Sequence, residues 1–211
     1  NQPQKSARKT AVTILDKCDP KKNYVSHTLD SILETTDEKQ KTTDLVFGTI
    51  RNRSAIDLVI EKFANCPVQR INKKLINIVR IAVYELVYCP DTAQYAVVNE
   101  TVETAKPQSS KKQLSFINAV LRQISKILPQ STEHGCLFKQ KFLPDYQNQP
   151  AQYLSHAFSI PQWLISKWLE QFDLEQVKQI CIAANRRPSV YARPNPLKTT
   201  AEDLLNLFTA E

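Results

Sequence analysis

Ile71-Asn-Lys-Lys-Leu-Ile-Asn-Ile-Val-Arg-Ile-Ala-Val-Tyr-Glu-Leu-Val-Tyr88 is the stretch that decides the fold. Its apolar residues, Ile71, Leu75, Ile76, Ile78, Val79, Ala82, Val83, Leu86 and Val87, run almost all round a helix. A helix that wide in its apolar face is normally central in a bundle, because a surface helix keeps one wet side. Asn77, Arg80 and Glu85 interrupt the run, so it cannot supply the roughly 20 apolar residues of a membrane span. The spacing therefore predicts a buried helix surrounded by others.

The flanking sequence supplies those neighbours. Pro90 follows the central helix and Asp91 is placed to cap the next, whose face is Ala93, Ala96, Val97, Val102 and Ala105. Leu114 to Leu128 forms a further helix, stopped by Pro129. Upstream, Ala7, Ala11, Ile14, Leu15 and Cys18 keep helical spacing over Ser6 to Cys18, and Tyr24 to Leu33 fits a second helix. Thr35 and Glu38 have capping-box spacing before a third helix that runs through Leu45, Val46 and Ile50. Ile56, Val59, Ile60 and Phe63 give a fourth over Ser54 to Phe63. Residues 1–129 thus read as an all-α bundle.

Residues 130–158 are rich in Gln, Ser and Pro and read as a linker, whose aromatics suggest that it lies against a folded surface. Residues 159–211 read as the start of a small, mainly helical adapter subdomain that is incomplete here. Its helices carry Trp163, Leu164, Trp168 and Phe172, then Leu174, Val177, Ile180 and Cys181 behind an Asp173 cap, then Ala201 to Phe208. Val190-Tyr191-Ala192-Arg193, between Pro188 and Pro194, has the composition of one short strand. One strand and half a helix cannot make a sheet domain, so the chain is expected to be a fragment.

Composition narrows the function. The 211 residues are 42% apolar and 23% charged, which is ordinary globular chemistry, and no signal-peptide pattern opens the chain. Gly48 and Gly135 are the only glycines, so glycine-rich phosphate loops and dinucleotide fingerprints are excluded. Five scattered cysteines, Cys18, Cys66, Cys89, Cys136 and Cys181, suit reduced thiols in a cytoplasmic protein better than a disulfide framework. His134-Gly135-Cys136 has no second ligand pair nearby, so no metal is expected. No catalytic constellation stands out. Glu100 and Glu103 read as solvated or capping groups, and Cys66 and Cys89 as packing at helix C-termini, where the dipole disfavours a thiolate.

The net charge of +7 belongs wholly to residues 1–130, while residues 131–211 balance to zero. That is the pattern of a domain that meets a polyanion. Lys5, Arg8 and Lys9 share one helix face by spacing. Lys111, Ser115, Asn118, Arg122 and Lys126, with Lys112 beside them, form a polar stripe on another helix. Two such stripes on adjacent helices would make a groove for RNA phosphates, although two ordinary wet helix faces would carry the same residues. Arg51 and Arg53, at a helix end, read as structural.

Several of these blocks carry a family resemblance. Lys5-Ser-Ala-Arg8-Lys-Thr-Ala11 is similar to the basic opening helix of the NusB family of transcription antitermination factors. Leu45-Val-Phe-Gly-Thr-Ile-Arg-Asn-Arg-Ser-Ala-Ile-Asp57, Arg80-Ile-Ala-Val-Tyr-Glu-Leu86, Val98-Asn-Glu-Thr-Val-Glu-Thr-Ala-Lys106 and Phe116-Ile-Asn-Ala-Val-Leu-Arg122 fit the same family in order and spacing. Ser159-Ile-Pro-Gln-Trp-Leu-Ile-Ser-Lys-Trp168, Ala184-Asn-Arg-Arg-Pro188 and Arg193-Pro-Asn-Pro-Leu-Lys-Thr199 resemble the region that follows the NusB-like domain in the Sun/RsmB family. Ser109-Ser110, Ser115, Pro194 and Pro196 depart from the usual pattern.

The resemblance implies a NusB-like bundle that holds small-subunit ribosomal RNA for an S-adenosylmethionine-dependent cytosine-C5 methyltransferase domain beyond Glu211. It implies no activity, no catalytic residue, no metal and no cofactor within this chain. The expected RNA-binding residues are Lys5, Arg8, Lys9, Lys111, Lys112, Asn118, Arg122 and Lys126. The alternative is a non-enzymatic antitermination factor that binds RNA and a ribosomal-protein partner with the same bundle. A third is a protein-interaction module that has lost RNA.

Overall fold

The computed structural model describes residues 6–18, 25–34, 36–127, 143–186 and 191–209. These form an all-α fold: α1 (Ala7–Lys17), α2 (Val25–Leu33), α3 (Lys39–Arg51), α4 (Arg53–Ala64), α5 (Lys73–Tyr88), α6 (Gln94–Ala105), α7 (Lys111–Ile127), α8 (Pro150–Phe158), α9 (Gln162–Leu169), α10 (Leu174–Asn185) and α11 (Ala201–Thr209). One-turn 3-10 helices at Val68–Arg70 and Lys106–Gln108 precede α5 and α7. None of the helices among the described residues is long and apolar enough to cross a membrane.

The central role expected of α5 holds. It packs against α1, α3, α4, α6 and α7. Leu75, Ile78, Val79, Ile81, Ala82, Val83, Leu86 and Val87 are buried on several sides of it, each large one contributing about 1.5–3 kcal/mol by leaving water. Asn72 caps its start, the side-chain oxygen accepting the Lys74 N–H at 2.9 Å. On the side facing α3, the Tyr84 ring lies on the backbone of Gly48. A Cβ there would stand 2.0 Å from the ring's Cζ, so only glycine lets α3 come this close. Tyr84 also stacks on Tyr88, centroids 5.5 Å apart.

The polar interruptions of α5 turn out to be cross-links. Arg80 is buried and grips Asp57 of α4 with both arms of its fork, Nε to Oδ1 at 2.7 Å and Nη2 to Oδ2 at 2.9 Å. Its Nη1 donates to Asn77, whose amide donates to Asp16 of α1 at 2.7 Å. Three helices are thereby fixed in register. Helices α1 and α5 run antiparallel, since Asp16 near the end of α1 meets Asn77 and Arg8 near its start meets Glu85.

Four expectations are corrected. Glu38 does not close a capping box on α3: its carboxylate accepts the Ala7 N–H at 2.8 Å and so serves the first turn of α1, and Thr35 lies outside the described residues. Asp91 does not cap α6, whose N-cap is Ala93 without a side-chain bond. Residues 150–158, read as linker, form α8, which buries Tyr153, Leu154, Ala157 and Phe158 and packs on α4, α9 and α10. Pro150 at its first turn and the apolar spacing of those four residues are what build it. Tyr191 to Arg193 form no strand, and Tyr191 is 87% exposed with no neighbouring strand among the described residues to pair with.

The Asp173 cap is present as a full capping box with Gln176, at 2.8 and 3.1 Å. The α8–α10 unit joins the bundle through the start of α4. Ser159, in the left-handed region at φ 57°, accepts the Ala55 N–H at 2.8 Å. Asn185 donates to Asn52 Oδ1 and to the Phe158 carbonyl, both at 3.1 Å. Asn52 in turn donates to the Gly48 carbonyl at 3.0 Å.

Candidate nucleic-acid interface

The structure separates the residues that spacing had grouped. Lys5 lies outside the described residues. Lys9 is exposed on α1. Arg8 is not on an open basic face: it is 6% exposed, with Nε 2.5 Å from Glu85 Oε2, Nη2 2.9 Å from Oε1, and Nη1 paired with Glu100. Both partners are carboxylates distant in sequence, and they neutralise the guanidinium where a phosphate would have to. Glu85 is itself 1% exposed, so this is a buried structural pair.

The α7 stripe is present on one helix face. Lys111, Lys112, Arg122 and Lys126 are exposed, and Asn118 is half-buried. Asn118 Oδ1 accepts from Arg122 Nε at 3.1 Å, which holds the guanidinium along the helix and leaves its other nitrogens outward. Beneath the stripe Ile117, Val120, Leu121 and Ile124 are buried, so α7 is seated firmly against the bundle. The two stripes do not line one groove. Helix α1 packs mainly on α2, α3 and α5, whereas α7 packs on α4, α5 and α6.

A second basic grouping was missed by reading each helix alone. Gln108, just before α7, donates to the Lys74 carbonyl at 3.3 Å, so the starts of α5 and α7 lie side by side. Lys73, Lys74, Lys111 and Lys112 are all exposed there. The available signal was the repeated Lys-Lys opening of both helices, with no acidic residue in either first turn.

Other candidate chemistry is occupied or inert. Glu103 pairs with Lys106. Burial pushes the Cys89 and Cys181 thiols up to about 11, away from thiolate chemistry. Burial and its contact with Cys89 likewise hold the Tyr84 hydroxyl protonated, pushed up to about 12. Arg51 ends α3 and Arg53 opens α4 within reach of Asp57 at 4.0 Å. No group of His, Cys, Asp and Glu among the described residues is arranged to hold a metal, and His134 and Cys136 lie outside them.

Comparison with known proteins accounts for both parts of the chain. The NusB family profile matches residues 5–126, and the ferredoxin-like domain of RsmF/B-like methyltransferases matches residues 160–211. A probable ribosomal RNA small subunit methyltransferase B of Bacillus subtilis is 27% identical over 98% of this chain and 44% of its own length. A protein of the same description from Synechocystis is 26% identical over 97% of this chain and 45% of its own length. The transcription antitermination protein NusB of Geotalea uraniireducens is 40% identical, over 41% of this chain and 60% of its own length. The chain thus spans a little under half of the methyltransferases it matches. With its helical bundle and the matching segment behind it, the chain belongs to the NusB family, in the form that joins a NusB domain to an RsmF/B ferredoxin-like segment.

Proposed function

We propose that this chain is the RNA-binding part of an S-adenosylmethionine-dependent ribosomal RNA (cytosine-C5) methyltransferase acting in the cytoplasm. Its bundle positions small-subunit ribosomal RNA for a catalytic domain outside these residues. The observation that supports this most is the segment at 160–211, because it matches a domain of methyltransferases and continues the similarity along nearly the whole chain. Exposed Lys9, Lys111, Lys112, Arg122 and Lys126, with Asn118, supply the phosphate and polar contacts, and the buried Arg8 holds the bundle together instead.

The described residues do not fit S-adenosylmethionine. They contain no strand-loop cradle, and Gly48 faces the Tyr84 ring inside the bundle. The cleft lined by Asp37, Glu38, Lys39, Gln40, Lys41 and Asp44 is open, and none of these is an aromatic or aliphatic residue that would stack on an adenine. No methyl-transfer step is assigned to this chain.

The test has two parts. Titrating labelled small-subunit ribosomal RNA at several salt concentrations should give an affinity that falls steeply with salt. The Arg122→Ala/Lys126→Ala variant should flatten that slope by about 1.4, at roughly 0.7 per phosphate contact on single-stranded RNA. The native polypeptide should transfer a tritiated methyl group to cytosine, and residues 1–211 alone should not. A native polypeptide no longer than this chain, binding RNA without methylating it, would instead favour a NusB-type antitermination factor with a ribosomal-protein partner. The 40% identity to the Geotalea protein is what keeps that second reading.

A further inference from the structure

We infer that the RNA surface along α7 continues across the end of the bundle onto the start of α5, where it grips phosphates without reading sequence. The inference rests on the RNA-binding reading above and adds residues and a mode of contact to it.

The charge excess is distributed unevenly along α5. At the opposite end of α5, Arg8 is cancelled by Glu85 and Glu100. In the middle, Arg80 is cancelled by Asp57. At the α5 start the cations are uncancelled: Lys73, Lys74, Lys111 and Lys112 form no ion pair with any described residue. Arg70, on the 3-10 turn leading into α5, and Lys62, in the last turn of α4, add two exposed charges. Of the acids nearby, only Glu103 is ion-paired; Glu61 and Asp16 keep their charge but are held by neutral donors and pair with none of these lysines. Glu61 accepts the Val68 N–H at 3.0 Å, Glu103 holds Lys106, and Asp16 accepts from Asn77.

This arrangement opposes the stability of the free protein. Like charges lie together, and paired lysines open two helices whose first turns favour acids. The backbone is nonetheless built to keep them there. Buried Val68 and Ile71 anchor the loop, Asn72 caps α5, and Gln108 ties the two openings together. A polyanion laid across the end removes the repulsion, and the release of its counterions drives binding.

The same end offers no exposed ring on which a base could stack. The exposed aromatic side chains among the described residues are Phe47, Tyr95, Trp163, Phe172, Tyr191 and Phe208, and none belongs to α5, α7 or the turns before them. Without a stacking ring, four lysines address phosphates and leave sequence to other contacts. The Asn118–Arg122 pair further along α7 is better equipped for a base edge.

The experiment uses Lys73→Ala/Lys74→Ala, which touches none of the α7 stripe. Labelled ribosomal RNA is titrated from low to high salt, alongside Lys39→Ala/Lys41→Ala as a control at the start of α3. The expected result is a slope flattened by about 1.4 and an affinity roughly tenfold weaker at physiological salt, with thermal stability unchanged or raised and the control unaffected. A scrambled RNA of equal length should lose affinity by the same factor. Wild-type slope in the Lys73/Lys74 variant, with RNA still bound, would overturn the extension onto α5 and leave the RNA-binding reading standing. No RNA binding by the wild-type chain would overturn both. Loss confined to one RNA sequence would overturn the phosphate-only mode, and binding of polyglutamate but not RNA would reassign the end to an acidic protein.

Discussion

Replacing Arg8 by Met tests the account of the buried pair most directly. Methionine keeps much of the apolar stem and removes the charge, leaving the Glu85 carboxylate, whose side chain is 2% exposed, without its fork. An uncompensated buried charge costs about 3–5 kcal/mol. The Glu100 contact adds little, because that side chain is 59% exposed and such pairs are worth at most about 1 kcal/mol. With a urea dependence of about 2 kcal/mol per molar, the unfolding midpoint should fall by roughly 1.5–2.5 M. The Arg8→Met/Glu85→Leu double variant removes both charges and should recover to within about 1 kcal/mol of the parent, or exceed it. Equilibrium urea unfolding followed by circular dichroism reads both numbers. A single variant that loses less than about 0.5 M, or a double variant no better than the single, would refute the reasoning, since either would mean that Glu85 stays hydrated without Arg8.

Gly48→Ala should lower stability by about 1–3 kcal/mol in thermal unfolding, because the new methyl meets the Tyr84 ring. Ser159→Ala should cost about 0.5–2 kcal/mol by removing the acceptor of the Ala55 N–H, with most of the effect on α4, as amide hydrogen exchange would register. Glu38 is held below the usual carboxylate range by the Ala7 N–H it accepts. Its contribution is therefore complete above its unfolded-state value and lost as pH falls through the depressed one, so parent and Glu38→Gln should differ in stability at pH 7 and converge in acid. Cys89 and Cys181, with thiols pushed up to about 11, should resist a thiol reagent at pH 8 until the chain is unfolded.

Seven helices of the bundle were legible because apolar spacing is a local signal and burial here follows it. The width of the apolar face of α5 was enough to place it at the centre. What escaped depended on partners far away in the chain. Arg8 sits at helical spacing from Lys9 and Lys5 like any surface cation, and nothing local reveals a carboxylate 77 residues on. Glu38 matched a capping box, yet a different helix claims it. Helix α8 was legible in principle: Pro150 opens it and Tyr153, Leu154, Ala157 and Phe158 share a face, but the Gln- and Pro-rich composition before it masked the signal. The lysines of α5 and α7 were visible singly, and only the folded connection through Gln108 shows that they adjoin.

The Ser159–Ala55 bond has a consequence in time. Its partners are 104 residues apart, so at a synthesis rate of about 5–20 residues per second the start of α4 leaves the ribosome roughly 5–20 s before its acceptor does. Asn52 waits longer still for Asn185. During that interval the nascent bundle carries a bare donor in its first α4 turn and an open seat where Tyr153, Leu154 and Phe158 will dock. The seven-helix bundle therefore emerges with its helices drawn but one face unsealed, and the later segment acts as the latch that closes it.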